Sequence, residues 1–361
     1  MSSGSADALK RSHRKGRGAL SNRCGRFESL QREDVDDGWD SLEVPPQKLT
    51  TRVELDTSKS VVSHNDSPDV MFTNSINPYR GCEHGCIYCF ARPTHTYLGL
   101  SAGQDFESRL FYKRDAAAQL RAYLSRHSYE CDPITLGANT DPYQPIEKRY
   151  RVTRQVIEVL HECRHPMTIV TKNAMVERDL DLLAPMSELG LVNVCVTVTS
   201  LDSELTRKLE PRTSAPARRL TTIARLSDAG VPVTVLVSPV IPFINDSEIE
   251  EILAAVRECG AMAARYSVVR LPLEVKGLFV EWVKHHFPMR ADHVLSRITD
   301  LHGGKIYDPT FGKRQAGQGE LASLIGNRFR IAKRRLGFRD PRRLRTGHFV
   351  PPSVDGQYSL F

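Results

Sequence analysis

Cys82, Cys86 and Cys89 lie within ten residues of one another, in the segment Gly81–Phe90. Their spacing is C-x3-C-x2-C, with Tyr88 directly before the last cysteine. Three thiolates on one loop can hold three irons of a four-iron cluster, leaving the fourth iron open to a small molecule. Soft thiolates suit iron–sulfur clusters or zinc. A closed zinc site needs a fourth ligand, here His84 or Cys24. His84 sits between two of the cysteines, a strained position, and zinc sites usually come as two separated pairs, of which no second is present. An electron-transfer ferredoxin would normally bring four cysteines.

The loop resembles the cluster loop of the radical SAM superfamily. The flanking text, Ser75-Ile-Asn-Pro-Tyr-Arg-Gly81 before it and Ala91-Arg-Pro after it, is similar to the branch related to spore photoproduct lyase, in a bacterial group whose substrate is unassigned. The resemblance spans about residues 60–340. It implies a [4Fe-4S] cluster on the three cysteines and S-adenosylmethionine (SAM) chelated by the open iron. It also implies an external one-electron reductant of the flavodoxin or ferredoxin type, and cleavage of SAM to a 5′-deoxyadenosyl radical. Spore photoproduct lyase places a hydrogen-donating cysteine just after its second strand. The matching stretch here, Ala138-Asn-Thr-Asp141, has none, so the repair mechanism does not transfer directly.

The elements that must position these residues read as α/β. From Phe72 onward, apolar strand-like runs alternate with helical periodicity. Strands are expected at Phe72–Asn77, Ile134–Ala138, Met167–Val170, Leu191–Thr199, Val231–Pro239 and Tyr266–Leu271. Helices are expected at Asp115–Arg126, Val152–Cys163, Asp179–Leu189, Pro216–Ala229 and Ser247–Cys259. The last of these opens on a capping-box pattern, Ser247-Glu-Ile-Glu250. Six such units fall short of the eight that close a TIM barrel, which matches the partial (β/α)6 barrel that the resemblance implies. That barrel is expected over residues 59–277. Residues 1–58 read as a polar extension, disordered over about the first 25. Residues 278–345 form a C-terminal helical appendage, and 346–361 a tail.

Barrel sites lie at the carboxyl ends of strands. By resemblance, Tyr88 packs near the SAM adenine, and Asn139, Thr140 and Asp141 after the second strand hold its amino group. Lys172 after the third pairs with its carboxylate, and Ser200 after the fourth contacts ribose or carboxylate. No side chain is singled out as catalytic.

Of the 361 residues 40% are hydrophobic and 26% charged, as in a soluble globular protein. No apolar run nears the roughly 18–20 residues of a membrane helix, and the N-terminus lacks a hydrophobic signal core. Eight cysteines then suit a cytoplasmic protein with thiol chemistry. The net charge of +7 is uneven: residues 1–26 carry +6 and 313–345 carry +9, leaving −8 elsewhere. Basic ends attract the phosphates of a nucleic acid without reading sequence, so a radical SAM enzyme that modifies or repairs nucleic acid is the first expectation. Two rival readings stay open: a radical SAM enzyme acting on a small molecule or protein, and a metal-stabilised nucleic-acid-binding protein without catalysis. Oligomeric state is not legible.

Overall fold

The computed structural model describes residues 17–28, 49–70 and 72–352. Strands β1 (Arg52–Leu55) and β2 (Val62–His64) come first. Next, β3 (Asn74–Ile76) and β4 (Tyr79–Arg80) lead into the cysteine loop, and β5 (Arg109–Tyr112) follows it. Then come β6 (Ile134–Leu136), β7 (Met167–Thr171), β8 (Val192–Thr197), β9 (Val233–Val240) and β10 (Ala263–Val268).

The main sheet runs β10-β9-β8-β7-β6-β3-β2. Six of its strands, β3 and β6 through β10, pair in parallel, and β2 is antiparallel on β3. The sheet is open, with β10 and β2 as its edges. The inner strands β6 through β9 are short runs rich in β-branched residues and largely buried on both faces, as parallel strands covered by helices must be. Helices form where apolar residues recur at helical spacing. In the helix Ile249–Glu258, the side chains of Ile249, Ile252, Leu253 and Val256 have no solvent exposure, and each stabilises the fold by on the order of 2 kcal/mol.

The six-unit partial barrel is therefore present, with local corrections. β10 starts three residues earlier than the expected strand at Tyr266 and ends at Val268. The capping box at Ser247 does not form: the residue before the helix, Glu248, makes no side-chain cap. Its carboxylate instead accepts from the Ser200 hydroxyl at 2.8 Å and the Leu201 N–H at 2.7 Å. A small second sheet, β1-β5-β4, was not expected. The appendage contributes helices Glu274–His286, Ala291–Leu301 and Gly319–Arg335.

Two segments bridge distant parts. Residues 17–28, partly within the stretch expected to be disordered, instead pack against the cysteine loop; Ala19 and Leu20 are each 1% exposed. Residues 1–16 of that expectation lie outside the described residues. A second strap, 312–315, links the two edges of the open sheet. The Gly312 N–H donates to Asp69 at 2.6 Å, Arg314 pairs with Asp69, and the Val268 N–H donates to the Gln315 carbonyl at 2.8 Å.

Candidate active site

β4 delivers the chain into the cysteine loop through Gly81. Its φ of 72° lies in the left-handed region, and a Cβ there would meet the Leu110 side chain at 2.6 Å. The loop is pinned along its length. The Cys82 N–H donates to the Phe106 carbonyl at 2.9 Å and the Ile87 N–H to Leu209 at 3.0 Å. Gln144 accepts from the Glu83 N–H and donates to the Gly81 carbonyl.

A buried ion pair braces the loop from behind. Arg92 donates to the Cys86 carbonyl at 3.0 Å, the Gly85 carbonyl at 3.1 Å and the Glu107 carboxylate at 2.5 Å. Glu107 also accepts from the N–H groups of Gly18 and Ala19 at 2.9 and 2.8 Å. A Cβ on Gly18 would lie 1.8 Å from the Gly85 carbonyl oxygen, so only glycine lets this segment approach so closely.

The three cysteines open onto one cavity of about 500 Å³ at the carboxyl ends of the parallel strands. Tyr88, Asn139, Asp141 and Lys172 line the same cavity. Among the described residues no three His, Cys, Asp or Glu side chains are grouped around a single ion. His84, the local candidate for a fourth ligand, is turned to Asp141 (Nδ1 to carboxylate 3.3 Å) and Asn173 (3.2 Å). The donor set is thus three soft thiols facing a roomy cavity, and it fits a cluster with an open iron better than a closed zinc site.

Behind the cavity wall, Glu210 is fully enclosed. It accepts from Tyr88, Arg219 and the Thr199 hydroxyl, the last at 2.6 Å. Burial pushes this carboxyl up, but Arg219 and Lys172, with the hydroxyl bonds, outweigh it and hold it at about 2. Burial pushes Lys172 down, yet Cys86, Glu210 and Asp141 beside it raise it above its usual value. Burial likewise disfavours the Asp141 carboxylate, and His84 with the backbone N–H groups of Lys172 and Tyr143 reverses the effect. Asp141 accepts from Thr171 at 2.8 Å, the Lys172 N–H at 2.7 Å and the Tyr143 N–H at 2.9 Å.

Thr140 and Ser200 are not among the residues lining the cavity. The Thr140 hydroxyl donates to the Tyr79 carbonyl at 2.8 Å, and the Ser200 hydroxyl is engaged by Glu248. Val240 and Ile241 are core residues, 1% and 0% exposed. Sequence reasoning missed Glu107, Gln144, Phe90 and Arg270. Phe90 and Arg270 line the cavity, and the Arg270 guanidinium lies 4.5 Å from the Phe90 ring centre. Arg270 follows the sixth parallel strand by two residues, a position that reading the strand ends in order would have reached.

A family model describing the radical SAM superfamily matches residues 76–256. An uncharacterized protein of Mycobacterium tuberculosis is 35% identical over 264 residues, 72% of this chain and 76% of that protein. An uncharacterized protein of Methanocaldococcus jannaschii is 27% identical over 173 residues, 48% of this chain and 62% of that protein. Among solved structures, spore photoproduct lyase complexed with dinucleoside spore photoproduct has a TM-score of 0.57 at 18% identity, over 79% of this chain and 80% of that one. A mutant of the same lyase with bound AdoMet and dinucleoside spore photoproduct gives 0.56 at 17%, with the same coverage. At this identity the likeness is one of fold.

Proposed function

The chain belongs to the radical SAM superfamily and is an enzyme of that type, and we propose that Cys82, Cys86 and Cys89 hold its [4Fe-4S] cluster in the cavity that also receives SAM. A cluster held by these three thiols and reduced by an external flavodoxin- or ferredoxin-type donor would supply the electron for reductive cleavage of SAM to methionine and a 5′-deoxyadenosyl radical, the species that would take a hydrogen atom from the substrate.

The chain's own residues bind and orient. Lys172, held cationic by the acids around it, pairs with the SAM carboxylate. Asn139, exposed in the cavity wall, offers its amide oxygen to the ammonium. Asp141 spends its carboxylate on Thr171, Lys172 and Tyr143, so it acts as a positioning residue that fixes where Lys172 leaves β7. Tyr88, anchored through its hydroxyl to Glu210, gives the adenine an apolar face. The partial barrel serves as the catalytic unit and the helices after residue 278 as its cover. Among the described residues no disulfide is present, which suits a reducing cytoplasm. Among the described residues no helix is long and apolar enough to cross a membrane.

The observation that carries this reading is the convergence of three thiols, Lys172 and Asn139 on one cavity. Anaerobic reconstitution with iron and sulfide, then reduction with SAM present, tests it. Release of 5′-deoxyadenosine that depends on each of the three cysteines supports it. One tightly bound zinc and no SAM cleavage would overturn it.

A further inference from the structure

Beyond the groups assigned to cluster and SAM, the cavity wall carries Arg270, Arg314, Phe90 and Phe72. Two of its cations sit on aromatic rings that stay open to solvent. Arg270 lies 4.5 Å from the centre of Phe90, which is 42% exposed. Arg314 lies 4.5 Å from the centre of Phe311, which is 55% exposed. Arg314 is also paired with Asp69. Arg270 has no carboxylate in ion-pair contact among the described residues, although burial disfavours its charge.

A second cavity of about 490 Å³ adjoins the first. The two share Leu236, Ser238, Ser267 and Gln315 as lining, and the second adds Ala264, Arg265, Tyr266, Phe329, Lys333 and Asp340. Lys333 is matched by Asp340 at 2.9 Å. Arg265 is exposed and has no ion-pair partner among the described residues. Cations and aromatics therefore line both cavities, from the cysteines past the end of β10 to the helix Gly319–Arg335.

We propose that the substrate is a single-stranded nucleic acid lying along these two cavities, with Arg270 and Arg265 taking phosphates and the Arg270–Phe90 and Arg314–Phe311 pairs taking stacked bases. The proposal rests on the radical SAM reading and names the substrate class of that same site. Base stacking on aromatic faces and guanidinium planes beside a cationic groove is the means by which proteins hold single strands. An acidic peptide would satisfy the cations and leave both aromatic pairs without use. Length argues for a chain over a free nucleotide. Arg265 and Arg270 are five residues apart, on the order of 16 Å along an extended backbone. The two arginines line different cavities, so a ligand that reaches both must span the two.

Fluorescence anisotropy tests this with a short labelled oligothymidylate and oligouridylate, titrated anaerobically with the reconstituted protein between about 50 and 200 mM salt. Log affinity should fall linearly with log salt. Arg270→Met and Arg265→Met should each weaken binding about five- to tenfold and flatten that slope by about one. Phe311→Ala should weaken binding about tenfold at unchanged slope. Arg265 and Phe311 are surface residues, so loss of folding would not mask the result. The proposal fails if the three variants bind as wild type does, which would put any strand on the basic chain ends. It also fails if polyglutamate displaces the oligonucleotide at matched charge, or if thymidine monophosphate or inorganic phosphate binds as tightly as the oligonucleotide. Release of 5′-deoxyadenosine by the wild-type protein is measured alongside. Its absence would overturn the radical SAM reading, while the binding result speaks only to the substrate.

Discussion

Glu107 and Arg92 form an ion pair 2.5 Å apart with neither side chain exposed to solvent. Between them they hold the carbonyls of Gly85 and Cys86 on one side and the N–H groups of Gly18 and Ala19 on the other. Removing one partner of a buried pair leaves an uncompensated charge and typically costs about 3–5 kcal/mol. Glu107→Ala should therefore lower the stability of the apoprotein by that order in a denaturant titration and reduce iron retained after reconstitution. Deleting residues 1–26 removes the Arg17–Ala19 contacts and should loosen iron in the same direction. A deletion variant with wild-type iron would show that the segment is only an adornment of the loop.

Cys86 contributes a thiol and little else: the fold around it is held by Arg92, Leu209 and the neighbouring backbone. Cys86→Ala should lose most of the iron and all 5′-deoxyadenosine release, with the far-ultraviolet circular dichroism unchanged. Wild-type iron content in the variant would remove Cys86 from the ligand set.

Lys172→Met keeps the length of the side chain and deletes its charge. The loss of one charge-assisted contact to the SAM carboxylate, about 1.5–3 kcal/mol, predicts a Kd for SAM raised about ten- to a hundredfold in equilibrium dialysis. Unaltered affinity would assign the carboxylate elsewhere.

His165 carries the clearest acid liability away from the site. Its Nδ1 faces the Pro166 carbonyl at 2.9 Å and its Nε2 the Tyr129 hydroxyl at 2.5 Å, so the neutral ring satisfies both by donating to the first and accepting from the second. Burial, opposed by the Pro166 contact, lowers its pKa from 6.5 to about 4. A depressed histidine contributes stability in full above 6.5, and that contribution is lost as pH falls from 6.5 through about 4. The amount is on the order of 3 kcal/mol. His165→Gln should flatten the stability profile across that window, as followed by chemical denaturation at several pH values. An unchanged slope would place the acid sensitivity in other groups.

The parts legible in the sequence were those with a local signature. The cysteine spacing and the β-branched runs at Val192–Thr197 and Val233–Val240 need no distant partner to be read. What escaped depends on tertiary pairing. β5 is a four-residue strand after the cysteine loop, and its partners, β1 and β4, both lie before that loop. Glu107 stands alone in the sequence and acquires its role only when Arg92 and Gly18 fold onto it. Thr140 and Ser200 carried plausible chemistry at the correct strand ends, but backbone carbonyl and carboxylate neighbours took their hydroxyls first. The apparent capping box failed because a turn occupies Asp246–Glu248 ahead of the helix and its acid, Glu250, pairs with Arg328.

The segment 17–28 leaves the ribosome before every other described part of the chain, yet some of its partners are made much later. Ser21 donates to Glu281 across 260 residues at 2.6 Å, and Arg26 reaches Glu274 at 2.5 Å. Because synthesis runs from the N-terminus, the strap's partners Asp105 and Glu107 are made soon after the cysteines, whereas Glu274 and Glu281 are made only after the last strand of the sheet. The segment that backs the loop is therefore seated in two stages, first on the loop itself and then on the helix Glu274–His286.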